Sequence, residues 1–135
     1  MTTLRYGGLL IVGLIILTSC GWRAAKDQPT LSGAEQLLAK GIQSYEEGEY
    51  KSAATHLQNA LNAGLPRKTD SAKAHKYLAF IACGSENKQR CRDEFRKAFD
   101  DDPNFALDAA EAGHPVWGPV YRGVRGQVKS KDKPR

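Results

Sequence analysis

The reactive side chains of this 135-residue chain are few: Cys20, Cys83 and Cys91, three histidines, and an Asp-Asp-Asp run at 100–102. A cysteine can carry a lipid, a metal or a second sulfur, and its neighbours decide which. His56, His75 and His114 lack metal-ligand spacing, and two cysteines with a distant histidine are too few ligands for zinc. The aspartate run has neither the alternation nor the distal glutamate of a calcium loop, so it reads as a solvated helix end. No serine sits in a nucleophile elbow and no glycine-rich phosphate loop is present. The expectation is therefore a non-enzyme with no catalytic residue, no metal and no cofactor.

Cys20 has the most telling surroundings. Residues 1–7 carry Arg5 and no acid, residues 8–17 (GLLIVGLIIL) are apolar, and Thr18-Ser19-Cys20 follows at once. Spanning a bilayer core of about 30 Å takes roughly 20 apolar residues, so this run is too short for a span and fits an export signal over 1–19. Leu17-Thr18-Ser19-Cys20 resembles the bacterial lipobox, which implies a lipid on Cys20 and a mature chain beginning there; the alternative is an ordinary cleaved signal with an incidental cysteine. More than one acyl chain gives stable anchoring. Gly21 rather than aspartate after the cysteine implies, by analogy with enteric lipoproteins, an outer-membrane address facing the periplasm. Residues 20–31 have no apolar periodicity and contain Pro29, which suits a flexible tether, with Trp22 and Arg23 at the lipid interface or in solvent.

The charge distribution excludes one class of partner. The formal charge is +5, of which Arg5 lies in the signal and a net +3 in residues 127–135, leaving about +1 for the body. Duplex binding needs a broad basic face, so nucleic acid is not expected. At 41 % hydrophobic and 26 % charged, the composition is that of one small globular domain.

The elements that position these residues come from a repeat. Gly41, Tyr45, Gly48, Tyr50, Ala53, Leu57 and Ala60 align with Ala79, Cys83, Glu86, Lys88, Cys91, Phe95 and Ala98 at a constant offset of 38. A period in this range marks a helical solenoid. Ser32 and Glu35 have capping-box spacing and open the first helix. Its stripe is Ala34, Leu37, Leu38, Gly41, Ile42 and Tyr45, and Gly48 is able to take the positive φ that ends it. A second helix carries Ala53, Ala54, Leu57, Ala60 and Leu61 on one face. After a link at 62–70, capped by Ser71 or Asp70, the third helix presents Ala72, His75, Leu78, Ala79 and Ala82. The fourth presents Cys91, Phe95, Ala98 and Phe99 and stops at Asp102-Pro103.

Gly41, Gly48, Tyr50, Ala53, Leu57 and Ala60 resemble the tetratricopeptide repeat, and residues 72–103 match it without a gap. The expected fold is all-α: a short helical solenoid of two helix-turn-helix repeats with C-terminal capping helices, spanning 32–126. Cys83 and Cys91 flank the second turn at equal distance, so an antiparallel pair brings their sulfurs within bridging reach. An exported protein meets oxidising conditions, and a disulfide is expected; the alternative is two buried free thiols.

Beyond residue 103 the 34-residue phase predicts a third first-helix from Ala106, with Gly113 as its small residue and Asp108 and Glu111 as a capping box. His114-Pro115 then breaks it, and a kinked helix follows with Val116, Val120 and Val124. Terminal repeats usually deviate in order to cover the end of the core. Trp117, Tyr121 and Arg122 are expected to be that cap, the alternative being an exposed partner-binding patch. Residues 127–135 (QVKSKDKPR) are polar and aperiodic and are expected to be a disordered basic tail.

The repeat resemblance also implies a working mode. The first helices of such repeats line a concave face that holds a peptide or a helix of a partner. Carried over, that face comprises Glu35, Leu38, Ile42 and Tyr45 with Lys73, Lys76 and Phe80, unless the C-terminal helix fills it. The expected function is a lipid-anchored scaffold binding another envelope protein, with the membrane reached through Cys20 and no small-molecule substrate. The lipobox, the two repeats, the cysteine pair and the closing AEAGHPVWGPVYR are together similar to small lipoproteins of type VI secretion clusters. The alternative is assembly or stabilisation of an outer-membrane complex such as a pilus secretin. An envelope enzyme or peptidoglycan-binding accessory is a further class, for which no site is found.

Overall fold

The computed structural model describes residues 30–131, and among them are six helices and no strand. The segments expected to be an export signal and most of the expected tether, Cys20 included, lie outside the described residues, as do residues 132–135. Among the described residues no helix is long and apolar enough to cross a membrane.

Helix α1 (Gly33–Glu46) begins as its sequence dictates: Ser32 Oγ accepts from Glu35 N–H while Glu35 Oε2 accepts from Ser32 N–H, at 3.3 and 2.9 Å. Gly48, at φ 79°, turns the chain into α2 (Tyr50–Ala63). The two helices approach closely at Gly41, where an added Cβ would stand 2.7 Å from Leu57 Cγ. Leu57 is fully buried there, which is worth about 1.5–3 kcal/mol.

Helix α3 (Lys68–Gly84) and helix α4 (Lys88–Asp101) form the second hairpin. Helix α3 starts earlier than a cap at Asp70 or Ser71 would place it. Asp70 instead sits in the first turn, where its carboxylate accepts from Arg67 Nε at 2.8 Å and favours the N-terminal end of the helix dipole. The turn into α4 puts Glu86 at φ 61°, the counterpart of Gly48 at the 38-residue offset. Helix α4 is highly charged, yet Cys91, Glu94, Phe95, Ala98 and Phe99 recur at helical spacing and are buried.

The hairpins stack through α2 and α3, with a smaller α1–α3 contact. One core, around Leu38, Leu57, Ala60, Ala74 and Leu78, joins them. A second core holds Phe80, Cys83, Cys91, Phe95, Phe99 and Leu107 with Tyr121 and Val124 from the C-terminal segment.

That segment is short helix α5 (Ala109–Gly113) and helix α6 (Gly118–Lys131), the latter lying against α4. The capping box of Asp108 and Glu111 forms, so α5 starts at Ala109 rather than Ala106. The expectation of a disordered tail from residue 127 is corrected for residues 127–131, which are helical. Val128 extends the series Val120, Val124 at four-residue steps and reaches the second core, so the apolar stripe outlasts the polar run.

Candidate functional site

Two tyrosines bracket the first turn: Tyr45 in the last turn of α1 and Tyr50 opening α2, ring centroids 5.5 Å apart. Gly48 folds the chain sharply enough to bring them together. From α3 come Phe80, Ile81 and Gly84, followed by Ser85, and from the turn before α6 comes Trp117. These seven residues enclose a cavity of about 250 Å³ at the turn end of the hairpins. Tyr50 is 54 % exposed and forms its outer wall, while Phe80 is buried behind it.

Ring-on-ring contacts fix the walls. Phe80 and Trp117 stack with centroids 4.3 Å apart, and Trp117 stacks on His114 at 3.4 Å. Tyr45 meets Tyr77 at 5.0 Å and Phe80 at 6.2 Å. Two side-chain donors of the lining are already spent inward, Trp117 Nε1 on the Glu111 carbonyl at 2.9 Å and Ser85 Oγ on the Ile81 carbonyl at 2.8 Å.

Acidic side chains lie around these rings. Burial pushes the Tyr45 phenol up, with Tyr50, Tyr77 and Glu111 adding to the effect. Burial likewise raises Tyr77, assisted by Glu111, Glu46 and Asp108. Lys76 answers part of this charge: its Nζ lies 2.6 Å from Glu111 and sits over the rings of Tyr77 and Phe80, 4.8 and 5.6 Å from their centroids.

The seven residues expected along a concave groove do not form one open surface. Leu38 and Phe80 are buried, because α3 closes over the first hairpin and the Trp117 turn covers Phe80. Lys76 is paired to Glu111, and Glu35 serves the α1 cap with Arg67 at 3.8 Å. Ile42 is half-buried against the first core, Lys73 is exposed, and Tyr45 lines the cavity with Phe80. At the Phe80 end it is the Trp117 turn that lies over this face, while the C-terminal helix α6 packs on α4.

Of the residues assigned to a cap or a patch, Tyr121 is 1 % exposed among Phe95, Phe99 and Phe105, and its hydroxyl accepts from Leu107 N–H at 3.3 Å. That position excludes Tyr121 from an exposed patch. Arg122 donates to the Ala112 carbonyl at 2.7 Å, closing the end of α5. Trp117 is half-buried; it covers Phe80 and lines the cavity. The Cys83 and Cys91 sulfurs are at disulfide distance, 1.97 Å, behind this site.

A polar cluster that the sequence did not reveal joins α3 to α4. His75 Nδ1 is 2.7 Å from Glu94 Oε2, and its Nε2 is 3.6 Å from Asp101. Burial alone would raise the Glu94 carboxyl, but the hydrogen bond and charge of His75, with Lys97 at 3.3 Å, hold it below its ordinary value. The sequence also did not single out Ile81, Gly84 or Ser85 as lining residues. No protein-family model, curated protein or solved structure matches this chain.

Proposed function

We propose that this chain is a tethered adaptor: a short helical-repeat domain of the tetratricopeptide kind, held in the cell envelope by lipid on Cys20, that binds a polypeptide segment of another envelope protein. The observation that carries the reading is the aromatic cavity formed where both hairpin turns and the C-terminal turn converge. Of the three large apolar residues left well exposed among those described, Tyr50 and Val116 belong to the loops and helix starts at this end. Exposed aromatic anchors beside a preformed cavity are what a partner segment uses for affinity.

The duplicated hairpin supports the repeat assignment. Both turns carry a left-handed residue at the same register, Gly48 and Glu86, and both second helices bury the same positions, Ala53, Leu57 and Ala60 against Cys91, Phe95 and Ala98. The setting is an envelope machine, with type VI secretion as the first candidate. A photo-crosslinking residue at Tyr50 in intact cells tests the proposal. A single envelope protein is expected as the adduct, together with fatty-acid labelling that Cys20→Ala abolishes. Recovery of an unlabelled chain in the cytosolic fraction, with no discrete adduct, refutes it.

A further inference from the structure

We propose that the cavity walled by Tyr45, Tyr50, Phe80 and Trp117 receives the guanidinium of an arginine from a basic segment of the partner. This deepens the adaptor reading and rests on it. The cavity, about 250 Å³, is smaller than the roughly 300–1,000 Å³ of pockets for drug-sized ligands, so it suits one side chain rather than a helix. With the Trp117 and Ser85 donors already engaged, what the lining offers an occupant is mainly aromatic surface, with the Ile81 side chain and the two tyrosine hydroxyls. Aromatic rings attract cations through their quadrupoles, and arginine, planar and weakly hydrated, stacks on them more readily than lysine does.

Acidic residues on either side of the cavity-lining Tyr50 favour the same occupant. Residues 46–51 hold Glu46, Glu47 and Glu49 against Lys51, all exposed, in a chain whose formal charge is +5. Glu49 lines a neighbouring hollow that shares Tyr50 as a wall. Glu86 stands at the second turn, followed by Lys88. Lys76 is the charge that would oppose an incoming cation, and Glu111 neutralises it at 2.6 Å. The molecule already seats this ammonium over Tyr77 and Phe80, so the aromatic cluster tolerates a cation at its flank.

Gly84 supplies a blocking variant. It lines the cavity as the last residue of α3, has no left-handed backbone, and a Cβ there meets nothing within 4 Å, so the fold accepts Gly84→Leu, which adds bulk to the cavity's lining. The probe is a blocked Gly/Ser heptapeptide with a central arginine, compared with the same peptide carrying citrulline, which keeps the shape and removes the charge. Binding is followed by amide chemical shifts of the full-length chain in non-ionic detergent. The arginine peptide is expected to bind at least tenfold more tightly, with its largest shifts at Tyr50, Gly84 and Ser85. Gly84→Leu and Tyr50→Ala are each expected to weaken it at least fivefold. Equal binding of the two peptides overturns the proposal, as does undiminished binding to either variant with its amide spectrum intact. Crosslinking in cells separates the two levels. A partner adduct that survives Gly84→Leu sinks the arginine site and leaves the adaptor standing, whereas no adduct with the parent chain sinks the adaptor.

Discussion

Removing the Tyr121 side chain in two stages measures how firmly the C-terminal segment is built into the domain. The ring is 1 % exposed and touches Phe95, Phe99 and Phe105, with centroid distances of 5.5, 5.8 and 6.1 Å. Its hydroxyl is the acceptor for Leu107 N–H, a long bond at 3.3 Å in a buried setting. Tyr121→Phe keeps the ring contacts and orphans that donor, which costs about 1 kcal/mol. For a domain of this size the loss lowers Tm by about 4–8 °C. Tyr121→Ala also empties the space between α4 and α6, at about 3–5 kcal/mol, a large fraction of the roughly 5–15 kcal/mol that holds a domain together. Thermal unfolding followed by circular dichroism, with amide exchange over α5 and α6, reads both steps. If Tyr121→Ala melted within about 2 °C of the parent, where the size scaling demands at least ~12 °C, the view of α6 as an integral wall of the second core would be refuted.

Three further outcomes are expected. Alkylation of denatured, non-reduced protein should find Cys83 and Cys91 blocked, and replacing both with alanine should cost about 2.5 kcal/mol in urea unfolding, given the eight-residue separation. Glu94 titrates below its ordinary 4.5 in the folded state, so its contribution is fully present above that pH and is lost as acid protonates the folded carboxyl; His75→Ala should flatten stability against pH in this range and lower it at pH 7. Gly41→Val should destabilise by about 2–3 kcal/mol, since its Cβ would stand 3.1 Å from the Leu57 backbone nitrogen, which has nowhere to go, and a stability within error of the parent would disprove the close α1–α2 approach.

Much of the helical layout was legible because it is written in local spacing. The 38-residue offset locates both hairpins, Ser32 with Glu35 and Asp108 with Glu111 mark two helix starts, and Gly48 adopts the backbone its position suggests. Glu86 shows where composition misleads: the same left-handed turn is made without glycine, held by α3 and α4 on either side. The groove failed at Leu38 and Phe80 because periodicity assigns a residue to a helix face but is silent on what later covers that face. Trp117 arrives on Phe80 from 37 positions along the chain. The His75–Glu94 pair, 19 residues apart, was half legible: His75 falls on the third helix's stripe, whereas Glu94 looks like an ordinary polar residue of the charged fourth helix. The tail was misjudged at Val128 because one apolar residue among lysines carries little weight until its predecessors, Val120 and Val124, are known to face a core.

Glu111 occupies a junction among three neighbours. Its carboxylate caps α5 through the Asp108 N–H and grips the Lys76 ammonium, while its carbonyl takes the Trp117 indole proton. Substitutions at Lys76 and Trp117 therefore share a common node although they belong to different helical units, and their effects should fail to add in a double-mutant cycle. A partner that displaces the indole would loosen the short helix as well, so that occupancy at the turn end is transmitted to the polypeptide's C-terminal third through a single acidic residue.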